Sequence, residues 1–265
     1  MSVDVLAVQV ADSRARLAEA LEREPLAQLR ERATQVTPGP SLRAALSGDG
    51  VSVIAEIKRG SPSRGPLAPG LDPAATAAAY VAGGARAVSV LTAPLGFGGS
   101  LDDLVAVARL GVPTLRKDFL IDPYQVWEAR AAGASAVLLL AVVLDDPELR
   151  LMLAAVDQAG LDALVEVHDE QEMRRVRALG PAIVGVNVRD LRDFSVENER
   201  FTAVARLRPS GAVLVAESGV HGPDDVAAYA AAGADAVLVG EHLVTSGDPE
   251  AATRRLVEAG TGAMR

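Results

Sequence analysis

The chain has 265 residues, with 26 Lys and Arg against 35 Asp and Glu and a formal net charge of −9, a balance that argues against a nucleic-acid binder. Hydrophobic residues at 49% and charged residues at 23% are ordinary globular values, which exclude disorder as the main description and supply enough apolar surface for a large core. The absence of cysteine rules out disulfides, thiol nucleophiles and Cys-ligated metal centres, and His168, His221 and His242 stand too far apart for a preformed metal motif, so no metal site is expected.

Residues 1–50 open the chain without the basic start and long apolar run of a secretory signal, and a soluble, cytoplasmic protein is expected. This leader is helical by composition through Arg32 and is broken at Pro38-Gly39-Pro40. It reads as an extension that either plugs or covers one face of the following domain, or covers a substrate. From residue 51 onward, short β-branched or Leu-rich runs alternate with Ala-rich segments at helical spacing. Strands are predicted at 51–57, 87–91, 113–116, 136–140, 163–167, 183–187, 213–216 and 236–239. Helices are predicted at 73–82, 101–109, 123–132, 147–159, 170–179, 199–207, 223–232 and 249–258. Several open on Asp-Pro or Gly-Pro, where the missing proline N–H had no helical partner in any case. The most apolar run, AVLLLAVVL, is cut short by Asp145 and Asp146, well below a bilayer span.

The segments AGGARAVSVL, AAGASAVLLL and AAGADAVLVG echo one another as helix end, glycine stop and apolar strand. Eight strands that are apolar on both faces imply a parallel sheet covered by helices, and eight such units close into a barrel. The expected fold is α/β, a single (β/α)8 TIM barrel over residues 51–265 that forms one domain with the 1–50 extension. An open doubly wound sheet is the weaker rival, because no G-x-G-x-x-G follows the first strand.

A closed βα barrel carries its chemistry at the carboxyl ends of its strands. Ionisable residues fall there repeatedly: Glu56 and Lys58, two apart and so on one side, then Lys117, Glu166, Asn187, Glu217 with Ser218, and Gly240-Glu241. Any one of them could be a structural ion pair. Several at the same end are costly to bury unless they are used, since Val, Leu and Ile would fill the space with less penalty. The loops after strands 7 and 8, Ser218 to Pro223 and Gly240-Glu241-His242, offer glycines for close backbone approach to a phosphate. Loop 1 adds Lys58, Arg59, Ser61, Ser63 and Arg64 beside them once strand 8 meets strand 1. Lys58, Lys117, Arg116 and Arg189 supply the local positive charge that an anionic substrate needs in an acidic protein. Phe97 and Phe119 follow strands 2 and 3 in a chain with only 3% aromatics, and they suggest a wall for a planar ring; loop anchoring is the other reading. Trp127 is expected only to pack against the barrel wall.

The segments VIAEIKRGSPSRG, LRKDFLIDPYQVWEARAAGA, LVEVHDEQEM, GVNVRDL, VAESGV and VLVGEHL resemble, in order and spacing over about residues 24 to 258, the indole-3-glycerol phosphate synthase family. That resemblance implies a lyase of tryptophan biosynthesis acting on 1-(o-carboxyphenylamino)-1-deoxyribulose 5-phosphate by ring closure, decarboxylation and dehydration, with no cofactor or metal. It implies Lys117 as the general acid at the ribulose carbonyl, Glu166 in proton transfer during dehydration, Asn187 positioning groups near it, and Lys58 holding the substrate and sharing acid work. Glu56 and Glu217 would orient the lysines and substrate hydroxyls, and Arg189 would pair with the substrate carboxylate. Ser61, Gly219, Gly240 and Glu241, the last through its backbone N–H, would hold the phosphate with Ser218 beside them.

Acid and base work of this kind needs lysines and glutamates whose pKa values are pushed apart, and two neighbouring ammonium groups are expected to lower one another. The chain departs from the family pattern in two places. Ala93-Pro94-Leu95-Gly96 stands where acidic residues are usual after Leu-Thr, which predicts a less tied-down loop or one tuned to another ring substituent. His242 stands where a serine is usual, removing one side-chain phosphate contact unless the imidazole donates instead. A paralogue acting on a substituted analogue, a Schiff-base barrel aldolase using Lys117 or Lys58, and a scaffold barrel are the alternatives. Nothing in the visible faces demands a partner protein or a membrane, and a monomer is expected.

Overall fold

In a computed structural model, residues 4–62, 64–189 and 198–262 are described; Ser63, read above as a loop donor, lies outside the described residues. The eight strands are β1 (Ser52–Ile57), β2 (Ala87–Leu91), β3 (Thr114–Lys117), β4 (Ala136–Leu140), β5 (Asp162–Val167), β6 (Ile183–Asn187), β7 (Val213–Glu217) and β8 (Ala236–Val239). Each pairs in parallel with its neighbours in sequence, and β1 pairs with β8 through Ser52 and Ala236, which closes the barrel.

Strand periodicity sorts the apolar residues into two cores. Ile54, Leu115, Leu138, Leu164, Ile183, Val215 and Leu238 point inward and fill the barrel. Val53, Val88, Leu139, Val165, Val186, Leu214 and Val237, one position away, point outward and pack under the helices. Those helices are α4 (Pro73–Ala82), α5 (Leu101–Ala108), α6 (Pro123–Ala131), α7 (Asp146–Ala159), α8 (Glu170–Arg177), α9 (Asn198–Ala205), α10 (Pro223–Ala231) and α12 (Pro249–Gly262). Side-chain caps fix their starts. Asp72, Ser100 and Asp169 each accept a first-turn N–H, and Asp122 with Gln125 and Asp145 with Glu148 form reciprocal capping boxes.

The extension departs from a single leader helix. Pro25 cannot continue α1 (Val5–Arg23) and pushes Glu24 into an extended conformation, so α2 (Leu26–Thr34) begins as a separate helix. Beyond the Pro38-Gly39-Pro40 break, Ser41 caps α3 (Leu42–Leu46), whose Leu42 and Leu46 are buried against the strand starts Ala87, Ala136, Ile183 and Val213. The extension therefore acts at both ends of the barrel. α3 plugs the amino end, while α1 sits on the carboxyl end, where Ser13 donates to the Phe119 carbonyl at 2.6 Å and Arg16 pairs with Asp118 at 2.9 Å. On α2, Arg30 lies 4.9 Å over the ring of Trp127, which is buried in the outer core as expected.

Two further elements were not foreseen. Loop 1 contains a two-residue antiparallel pairing of Gly60–Ser61 with Gly65–Pro66, and a one-turn helix, α11 (Glu241–Val244), follows β8. Among the described residues no helix is long and apolar enough to cross a membrane.

Candidate active site

The inward positions that carry Leu, Ile and Val deeper in the barrel carry Glu56, Lys117, Glu166, Asn187 and Glu217 at the strands' carboxyl ends, with Lys58 directly after β1. One cavity collects all of them. Its floor is Leu138, Leu140 and Leu238, and its rim includes Ser61, Phe97, Phe119, Arg189, Ser218, Gly219, Gly240 and Glu241, whereas Arg59 and Arg64, read as donors of loop 1, do not line it and pair instead with Asp103 and Glu241. Counting its open mouth, it encloses about 1070 Å³.

Lys117 is the hub. Its Nζ donates to Glu166 Oε2 at 3.1 Å and lies 3.2 Å from Glu217 Oε2. Lys58 makes a separate pair with Glu56, Nζ to Oε1 at 3.0 Å. Asn187 Nδ2 donates to Glu166 Oε1 at 3.0 Å, and its Oδ1 accepts from Ser218 Oγ at 2.8 Å and from the Arg189 N–H at 3.1 Å. Both ends of the amide are used, which fixes its orientation. Ser218 is the only non-glycine residue with positive φ among those described, at 71°, and Gly219 follows at 73°. The strain lies at Ser218, which with Gly219 turns the chain sharply at the end of β7, a cost of the kind that clusters at functional sites.

Close packing shows how the charges are fitted in. A Cβ on Gly185 would stand 1.9 Å from Glu217 Oε1, and one on Gly240 would stand 2.6 Å from Glu56 Oε1. Glycine at these positions makes room for the carboxylates.

The electrostatics follow from burial and pairing. Burial opposes the Lys117 ammonium, but the summed attraction of Glu166, Glu217 and Glu56 outweighs it and raises the pKa above the ordinary lysine value. The expected lowering of Lys117 by a neighbouring ammonium is therefore overturned: three carboxylates dominate the field at Lys117. Burial pushes Glu166 up, yet Lys117, His168 and Asn187 together hold it well below the usual carboxylate range. Glu217 goes the other way. Burial first, and then the Glu166 charge, raise it, and neither of its oxygens has an aligned hydrogen-bond donor. The cluster thus holds an ammonium, one carboxylate kept ionised and one biased towards its neutral form.

Arg116 does not contribute to this field as expected. It is one residue from Lys117, so strand alternation turns it outward, fully buried between β3 and α6. There it pairs with Asp118 at 3.2 Å and Glu128 at 2.9 Å and donates to the Gln125 carbonyl at 2.8 Å. Asp118 also accepts from Thr92 and Arg16, and the network ties α1 to the residue beside Lys117.

The loop at 93–96 is held down rather than loose: Gln9 Nε2 donates to the Leu95 carbonyl at 3.0 Å, and Arg59 reaches the Gly98 carbonyl at 3.2 Å. Phe97 and Phe119 face one another with ring centroids 6.3 Å apart, forming one aromatic side of the cavity. His242 does not line the cavity, and burial, followed by the charges of Arg255 and His221, lowers its pKa. His221 does line it, which the sequence reading passed over. So did it pass over His168, whose ring lies 3.2 Å from Glu166 Oε1. Its signal was available, because residue 168 is two beyond Glu166 and shares its side of β5.

A family model described as indole-3-glycerol phosphate synthase matches residues 6–256. Indole-3-glycerol phosphate synthase 1 of Streptomyces coelicolor is 52% identical over 248 residues, covering 93% of this chain and 92% of that one. The indole-3-glycerol phosphate synthase of Parafrankia sp. is 54% identical over 242 residues, covering 91% and 90%. Among solved structures, thiamine phosphate pyrophosphorylase from Pyrococcus furiosus superposes with a TM-score of 0.62 at 16% identity, over 85% of this chain and all of that one. The 3-hexulose-6-phosphate synthase from Salmonella typhimurium gives 0.60 at 14% identity, over 80% and 100%. At such identities these two speak for the barrel alone.

Proposed function

Since the chain belongs to the indole-3-glycerol phosphate synthase family, decarboxylating lyases of tryptophan biosynthesis, we propose how its own residues divide the reaction on 1-(o-carboxyphenylamino)-1-deoxyribulose 5-phosphate. The observation that carries the assignment is Lys117 Nζ held between Glu166 and Glu217 on the floor of a cavity with an aromatic side at Phe97 and Phe119. The anthranilate ring packs on that side, with its carboxylate towards Arg189. The phosphate is held by the Ser61 hydroxyl and by the backbone N–H groups of Gly219, Gly240 and Glu241, next to Ser218.

Ring closure joins the carboxyl-bearing ring carbon to the ribulose carbonyl carbon. As that bond forms, Lys117 gives its proton to the carbonyl oxygen. The basicity of the developing alkoxide draws the proton across, against the carboxylates that hold it on Lys117. Loss of CO2 returns its bonding electrons to the ring and restores aromaticity. Dehydration then needs a proton on the departing hydroxyl and removal of one from the adjacent carbon. Lys58, not used in ring closure, supplies the first, and Glu166, kept ionised, takes the second. Asn187 fixes Glu166, while Glu56 and Glu217 orient the lysines and the substrate hydroxyls.

A single domain formed by residues 1–50 and 51–265, acting as a cytoplasmic monomer, completes the proposal. The contacts of α1 and α3 with the barrel support the first part. The experiment is to mix the purified chain with the carboxyphenylamino-deoxyribulose phosphate, without added metal, and follow indole fluorescence. Turnover that falls at least a hundredfold in Glu166→Gln supports the assignment, and undiminished turnover in that variant overturns it.

A further inference from the structure

We propose that His168, clamped between Glu166 and Glu172, is a positioning residue that presents the Glu166 carboxylate to the substrate in a fixed orientation; this rests on the base role given to Glu166 above.

The placement begins in the sequence His168-Asp169-Glu170-Gln171-Glu172. Asp169 caps α8 by accepting the Glu172 N–H at 2.8 Å, which turns the Glu172 side chain back over the helix start. Instead of reaching the Asp169 N–H, its Oε2 accepts the His168 backbone N–H at 2.8 Å and lies 3.2 Å from His168 Nδ1. The ring is thereby held with Nε2 buried and 3.2 Å from Glu166 Oε1, an ion-pair contact rather than an aligned hydrogen bond.

Both ring nitrogens thus face carboxylate oxygens. A neutral imidazole has one N–H and one lone pair, and whichever nitrogen carried the lone pair would be pressed against a negative oxygen. Only the doubly protonated ring suits both neighbours. The largest charges acting on it are Glu166 from β5 and Glu172 from α8, while the Lys117 ammonium of β3 stands across the Glu166 carboxylate, 3.1 Å from its other oxygen. In agreement, although burial disfavours the charge, those two carboxylates raise the ring's pKa to about 10.

The consequence falls on Glu166. Its Oε1 accepts from Asn187 and lies in charge contact with the His168 ring, while its Oε2 faces Lys117 and the cavity. The two groups on Oε1 stop the carboxylate from rotating and leave one oxygen to exchange a proton. The design parallels a carboxylate–histidine pair that orients a reactive group from behind, although here histidine is the orienter.

The test uses the full chain as His168→Gln, Glu172→Gln and, in parallel, Glu166→Gln. His168→Gln should lower kcat about 10- to 100-fold, the range in which outer partners act, with KM within threefold of wild type. Free imidazole should restore part of kcat to His168→Gly. Glu172→Gln keeps the ring and should show a smaller loss of the same kind. In the wild type, the His168 ring carbon resonance should stay in its protonated position through pH 8, and in Glu172→Gln its midpoint should fall. A wild-type kcat in His168→Gln, or a ring titrating near 6.5 in the wild type, overturns the inference. An inactive Glu166→Gln beside a fully active His168→Gln would sink this inference alone, whereas a fully active Glu166→Gln would sink the base assignment beneath it. Should His168→Gln fail to fold, the Glu172→Gln kinetics and the ring titration decide.

Discussion

Gly185→Ala is a one-carbon probe of the whole charge cluster. Gly185 does not have positive φ, so the backbone accepts alanine without strain, and the effect is confined to what the new methyl meets. The methyl would sit 1.9 Å from Glu217 Oε1, 3.0 Å from Glu217 Cδ and 3.3 Å from Leu164 Cδ1. A normal carbon–oxygen contact is more than an ångström longer, so the Glu217 head must move by at least about 1 Å, away from its 3.2 Å contact with Lys117. Because the obstacle is the end of a side chain rather than backbone, the stability cost should stay near the low end for overpacking, about 1 kcal/mol, or about 2–4 °C in Tm for a chain of this size. Activity should suffer far more, since a 1 Å misplacement around reacting groups costs about a hundredfold. Thermal unfolding and indole fluorescence on the same preparation separate the two. A variant with wild-type turnover would show that Glu217 has no positional role, and one that loses activity only in proportion to its folded fraction would show that the tight fit matters for stability alone.

Glu217→Gln tests the electrostatics. The folded-state pKa of Glu217 is raised to about 8, so between its ordinary value of 4.5 and 8 the folded chain holds a proton that the unfolded chain has released. This residue's contribution to stability is full below 4.5 and is lost as pH rises through 8. Denaturant unfolding should show the difference in stability between Glu217→Gln and wild type shifting in favour of the variant from pH 5 to pH 9, with lower turnover throughout; parallel pH profiles would contradict the shift. Leu46→Ala empties part of the amino-end plug and should cost about 3 kcal/mol, with kcat unchanged at a temperature where the variant remains folded. A large kcat defect in that variant would mean that the two ends of the barrel are coupled.

Strand periodicity made much of this architecture legible before any coordinates. Alternating apolar runs located all eight strands to within a residue at each end, because each is buried on both faces and bounded by glycine or proline. Place at the carboxyl ends of the strands grouped Glu56, Lys117, Glu166, Asn187 and Glu217 in the sequence, and alternation turns them inward in the barrel. The same alternation turns Arg116, one residue from Lys117, outward and brings His168, two beyond Glu166, back to the side of Glu166. Two other features depend on contacts distant in sequence. α3 carries too few residues for a periodic signal, and its burial is decided by the open barrel floor beneath it. The raised pKa of Lys117 needs three carboxylates from β1, β5 and β7, whose approach to one ammonium is set by barrel closure rather than by spacing along the chain.

Replacing the hub of the cluster is the most direct measurement. Lys117→Met keeps the stem that packs on the cavity floor and removes the ammonium between Glu166 and Glu217. With folding confirmed by circular dichroism, the formation of indole-3-glycerol phosphate should fall by about 10²–10⁴-fold, the contribution of a positioned proton donor. Turnover within a factor of about three of wild type would mean that the acid lies elsewhere and that the arrangement around Lys117 serves the fold.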